Sequence, residues 1–143
     1  LREGRPRFSV DAQAQRRMLE RFVAAMAKPS LESLRALFAE DAIAISDGGG
    51  VVRAILRPLH GADRLARLYM QIASNLRPHK YRYEMVTLNN APALLMWVDD
   101  TLSSVVWVEC EGERITAMHG LRHPDKLARL LAVTKSAGSA SLH

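Results

Sequence analysis

The sequence predicts one α+β domain, a curved mixed or antiparallel sheet wrapped around about three amphipathic helices, with a short further helix near the C-terminal end. Three observations predict it. Apolar residues recur at helical spacing through the first third of the chain and again near its middle, whereas the second half alternates as strands do. The regular strand–helix alternation that builds a parallel sheet is missing. The chain has 143 residues, 48% of them hydrophobic and 24% charged, which suits a single core that needs no disulfide or metal to hold it.

Residues 1–9 carry Gly4, Pro6 and three arginines and read as a linker to a folded domain at 10–133, with 134–143 as a flexible Ser/Ala/Gly-rich tail. Asp11 suits the N-cap of a first helix in which Leu19, Phe22, Val23 and Met26 share a face, and Lys28-Pro29 stops it. Ser30 suits the cap of a second helix with Leu31, Leu34, Leu37 and Phe38 inside. Residues 41–46 then alternate as a strand, and Asp47-Gly48-Gly49-Gly50 turns the chain into a partner strand at 51–56. A third helix begins at Gly61-Ala62-Asp63, buries Leu65, Leu68, Tyr69, Ile72 and Leu76, and ends at Arg77-Pro78. Strands follow at 81–88, 94–98, 104–110 and 115–121, with Asn89-Asn90, Asp99-Asp100 and Glu111-Gly112-Glu113 between them. Pro124 suits the first turn of a last helix that buries Leu127, Leu130 and Leu131.

Charge and cysteine content exclude several classes. Cys110 is the single cysteine, so no internal disulfide forms, and no apolar run approaches the ~18 residues of a membrane span. The net charge is +5, yet no zinc-finger spacing, recognition-helix pattern or aromatic RNA-binding signature accompanies it. Direct nucleic-acid binding by this chain is therefore not expected. Seven basic residues against one acidic lie between Arg53 and Arg82, while five acidic and no basic residues lie between Asp99 and Glu113. Such asymmetry steers association without naming the partner.

Local text narrows the reading. Arg5-Pro6-Arg7-Phe8, Phe38-Ala39-Glu40-Asp41, Ser46-Asp47-Gly48-Gly49-Gly50, Arg57-Pro58-Leu59-His60-Gly61 and Pro124-Asp125-Lys126-Leu127 occur in this order. Together, over residues 5–131, they resemble the C-terminal SnoaL-like (ketosteroid-isomerase-like) domain of extracytoplasmic-function sigma factors of bacterial RNA polymerase. The resemblance implies a cone-shaped fold, a chain that is a piece of something longer, and helical sigma domains before Leu1. It further implies cytoplasmic work without a cofactor, no membrane, and as partners those sigma domains and the polymerase core. The contacts it implies are Asp47, Gly48, Gly49 and Gly50 on one side and Pro124, Asp125, Lys126 and Leu127 on the other. Two positions depart from the family pattern: Val51 stands where lysine is common, and His123 where asparagine is. Histidine caps a helix less well than asparagine, and a role resting on that lysine's charge does not carry over.

Catalysis has two candidate groups. In enzyme relatives a carboxylate near the end of the first strand serves as general base, and Asp47 falls close to that place. A side chain before three glycines more often bonds turn amides, so the turn role is preferred. His119 is the other candidate, on a strand face with Ile115, Ala117 and Leu121, where it would serve as an acid–base or ligand contact if that face lines the cone. His60, Tyr69, Tyr83, Trp97 and Trp107 are further candidates for a pocket wall, with aromatic core packing as the plainer account of the rings. The five histidines lack metal-ligand spacing, so no metal site is expected. The expectation is a regulatory domain that is not an enzyme. The alternatives are an isomerase- or cyclase-type enzyme using Asp47 or His119, a sensor of a small-molecule ligand, and a homodimer formed through exposed sheet.

Overall fold

The computed structural model describes residues 5–47 and 58–122. The partner strand expected at 51–56, the last helix and the tail lie outside the described residues. Helix α1 (Arg5–Ala27) begins six residues before Asp11, so residues 5–9, read as linker, belong to its backbone. Pro6 is compatible with that start because the first helical turn has no intrahelical use for its missing N–H. Helix α2 (Leu31–Arg35) is a single turn, capped as expected: the Ser33 amide donates to Ser30 Oγ at 3.0 Å. Leu37 and Phe38, assigned to its stripe, instead lead into strand β1 (Phe38–Asp47), which starts three residues early.

Strand β2 (Leu59–His60) pairs antiparallel with β1, setting Ile43 beside His60 and Ala44 beside Leu59. Gly61 then turns the chain into helix α3 (Ala62–Leu76) at φ 105°, a backbone that L side chains rarely adopt. Its amide donates to Ala42 O at 2.8 Å and its carbonyl accepts from the Leu65 amide at 3.0 Å. One glycine therefore ties the helix start to the sheet.

Strands β3 (Tyr81–Leu88), β4 (Ala91–Val98), β5 (Thr101–Glu111) and β6 (Arg114–Leu121) run as an antiparallel meander. Asn89 and Asn90 both have positive φ, as do Asp99 and Asp100, which suits two-residue hairpin turns. Strand β4 starts three residues before the expected 94 and takes in Pro92, opposite Thr87. The full order is β2-β1-β6-β5-β4-β3, with β1 and β6 parallel, so the sheet is mixed. Register shifts interrupt the β1–β6, β4–β5 and β5–β6 pairings, with the extra residues in β1, β5 and β6 respectively. Each such irregularity bends its strand, and the sheet curves without closing.

Both sheet faces are apolar. The concave face meets the helices: Met18, Leu19 and Phe22 of α1 and Leu65 of α3 join Met85, Leu94, Val108 and Met118 in the main core. On the convex face Val86, Ala93, Leu95 and Val105 form a second buried cluster, to which the described helices contribute nothing. Fully burying aliphatic side chains of this kind contributes about 1.5–3 kcal/mol each.

Candidate functional site

Between the concave face and helices α1 and α3 lies a cavity of about 500 Å³. Strand alternation selects its sheet wall: Tyr83, Met96, Val106 and Gly120 point inward because they share one phase of the pleat. Phe22 and Met26 come from α1, and Leu68, Tyr69, Ile72 and Leu76 from α3. The floor is aromatic. Tyr69 meets Phe22 edge-on at 5.3 Å and stacks near Phe38 at 6.0 Å, while Tyr83 meets Phe22 at 6.2 Å. Burial pushes both phenols well above their ordinary range, so they stay protonated; the neighbouring Tyr81 and Tyr69 phenols add to the rise at Tyr83.

The polar lining is neutral inside and charged only at the rim. Ser46, Ser103, Ser104 and Asn75 supply hydroxyl and amide groups, and the exposed His79 and Arg122 mark the mouth. His79 Nδ1 lies 2.7 Å from Asp99 Oδ2, and the Lys80 amide donates to Asp99 Oδ1 at 3.2 Å. The histidine hydrogen bond, then that amide, holds the Asp99 carboxyl below its usual range. Sequence reasoning missed this pair. The β3–β4 register sets Tyr81 opposite Val98, which brings the residues before Tyr81 against the turn after Val98; that hairpin register was the signal.

The candidates divide cleanly. Tyr69 and Tyr83 line the cavity. Trp97, Trp107 and His119 do not: each neighbours an inward residue (Met96, Val106 and Gly120) and so points to the convex face. There Trp107 and His119 stack with centroids 5.3 Å apart, and His119 Nε2 lies 2.7 Å from Glu109 Oε2. Trp97 Nε1 donates to Glu84 Oε1 at 3.0 Å under the Arg82 guanidinium, which stands 5.0 Å from the indole centroid. His60 is exposed on the edge strand β2. The backbone of Asp47 ends β1, paired with Leu121 of β6. The glycine turn and the 124–127 element lie outside the described residues.

Among the described residues no carboxylate lines the cavity, and its one imidazole is the exposed His79 at the rim. Burial, with the Asp11 carboxylate nearby, raises the Cys110 thiol, which makes it a poor nucleophile. Among the described residues no three His, Cys, Asp or Glu side chains come together to hold a metal ion, and no helix is long and apolar enough to cross a membrane.

No family model matches the sequence, and no curated protein matches it. Solved structures define the class: the chain has the NTF2-like fold, shared with SnoaL-like and ketosteroid-isomerase-like proteins. One similar structure is the extracytoplasmic function sigma factor SigJ of Mycobacterium tuberculosis, with TM-score 0.64 and 16% identity over 80% of this chain and 44% of that one. This chain thus spans less than half the length of that sigma factor. An NTF2-like protein of Burkholderia xenovorans matches with TM-score 0.55 and 21% identity, covering 82% of this chain and 95% of that one. A ketosteroid-isomerase-like fold from Catenulispora acidiphila, in complex with trimethylamine, matches with TM-score 0.52 and 11% identity over 74% of this chain and 85% of that one.

Proposed function

We propose that this chain is a regulatory domain of an extracytoplasmic-function sigma factor, acting in the cytoplasm by docking on the helical sigma domains, the polymerase core, or both. One observation carries the reading. Parallel pairing of β1 and β6 sets Asp47 beside Leu121, so the chain enters the Gly48-Gly49-Gly50 segment and the segment holding Pro124, Asp125, Lys126 and Leu127 from adjacent strands at one end of the sheet. The described residues that lead to the two motifs, Asp47 and Leu121, are thus neighbours although far apart in sequence. Next to them on the convex face, Ile45, His119 and Trp107 form a row across three strands, with Ile45 37% and Trp107 36% exposed. An exposed aromatic set among apolar neighbours is a usual centre for a protein contact. Part of the acidic stretch is already engaged, since Glu113 pairs with Arg17 and Arg21 at 3.4 and 3.5 Å. What remains of the charge asymmetry serves to steer the encounter rather than to hold it.

Regulation by docking requires different affinity for the promoter-competent and incompetent arrangements of sigma. The test is a titration of this domain with separately made sigma domains, repeated with Asp47→Ala and Asp125→Ala. Specific binding weakened by either change supports the reading. Binding to neither the sigma domains nor the polymerase core at any accessible concentration refutes it.

A second reading has the cavity in its favour: a domain that binds a small molecule. The catalytic form of that reading loses His119, which faces away from the cavity, and rests on Asp47 alone.

A further inference from the structure

The convex face is shielded by something the described elements do not supply. Val86 is 4% exposed, Ala93 3%, and Leu95 and Val105 0%. Yet the described residues packed with them, Leu88, Trp97, Leu102 and Leu121, all belong to the sheet itself. Side chains next to one another on a sheet shield each other from the sides, and shielding from above takes another layer. The four are buried within a single chain, so that layer comes from the same chain.

Residues 1–4, 48–57 and 123–143 are the stretches outside the described ones. Residues 1–4 hold one large apolar side chain, Leu1. Residues 48–57 are tied to β1 and β2, on the opposite side of the sheet from the cluster on β3, β4 and β5. Ten residues reach at most roughly 36 Å, and the path from β1 out to β4 and back to β2 takes about 34 Å in strand spacings alone. No length is left to spread side chains over the cluster.

The third stretch starts at the cluster. Leu121 packs there and sits beside Val105, Val105 beside Leu95, and Leu95 beside Glu84, one row across four strands. Two residues further on the stretch begins, and in it Leu127, Leu130 and Leu131 recur at the spacing of one helix face. As a helix the eight residues 124–131 would measure about 12 Å, against about 14 Å for the row.

We propose that the convex face is the seat of this chain's own C-terminal segment, with Leu127, Leu130 and Leu131 laid along the row of Leu121, Val105 and Leu95. The assignment stands without the docking reading and sharpens it. Leu127 becomes an anchor to the sheet, and Asp125 and Arg129, on the opposite side of the same helical spacing, are what the segment offers a partner.

Methyl NMR on the 143-residue chain tests it, with labelled and unlabelled chains mixed to tell contacts within a chain from contacts between chains. The Leu95 and Val105 methyls should show nuclear Overhauser effects to those of Leu127, Leu130 and Leu131 within one chain. Leu130→Ala should shift the Leu95 and Val105 methyl signals and leave those of Leu94 and Leu65, on the other face, in place. Contacts to Val51, Val52, Ile55 or Leu56 instead would overturn the proposal. So would contacts seen only between chains, or none beyond the sheet. Neither sigma domains nor polymerase enter these measurements, so their failure leaves the docking reading to its own titration.

Discussion

Trp107 lies flat against His119, the two ring planes 4° apart, on the face of the sheet turned away from the cavity. Facing strands β5 and β6 place them directly opposite, and Glu109 fixes the imidazole from two residues along β5. The stack presents a rigid aromatic surface with little rotamer entropy left to lose on contact. Trp107→Ala should weaken binding to the sigma domains about tenfold or more, as loss of a central aromatic anchor does. Melting should change by no more than a few degrees, because the ring is one-third exposed. Unchanged affinity in the same titration would remove the convex row from the contact.

Gly61 offers a cleaner test of the fold. Its φ of 105° is needed where β2 hands over to α3, and the space around its Cα is open. Gly61→Ala should therefore act through backbone strain alone, lowering stability by about 1–3 kcal/mol in urea unfolding. A loss below about 0.5 kcal/mol would mean that the turn adapts freely.

The Asp99–His79 contact predicts a pH dependence. Because the folded carboxyl is held below its unfolded range, its contribution to stability is present above the ordinary aspartate pKa of about 4 and disappears as pH falls through the lowered value. Asp99→Asn should thus melt lower than the parent at pH 6–7, with the two curves converging as the pH drops below about 4. Parallel curves across that interval would show that the contact adds nothing beyond the turn geometry.

Leu65 reports on the junction of helix and sheet. Fully buried at the start of α3, it belongs to the main core. Leu65→Ala should cost about 2–5 kcal/mol in denaturant unfolding, far more than Leu31→Ala on the exposed side of α2.

Much of this arrangement was legible in the sequence, and the failures have physical causes. The β3 boundaries and the turns at Asn89-Asn90 and Asp99-Asp100 follow from alternation and from paired Asn or Asp residues that accept positive φ. The side of His119 stays open in the sequence because both faces of the sheet are apolar: Leu94 belongs to one core cluster and Leu95 to the other. Alternation fixes which residues share a face but not which face is concave. Tyr69 was placeable because a helix buries a single stripe. The His79–Asp99 pair depends on hairpin register, and two-residue β2 is too short to leave any periodic trace.

The parallel joint between β1 and β6 also orders the birth of the molecule. Strands β3 to β6 meet neighbours a few residues away and can zip up as hairpins, whereas β1, which meets β2 early, must wait for its second neighbour β6. On the ribosome the sheet would stay incomplete until residue 121 clears the exit tunnel. Any domain made earlier in a longer polypeptide would by then have had time to fold, so this one would close against a neighbour already in its final shape.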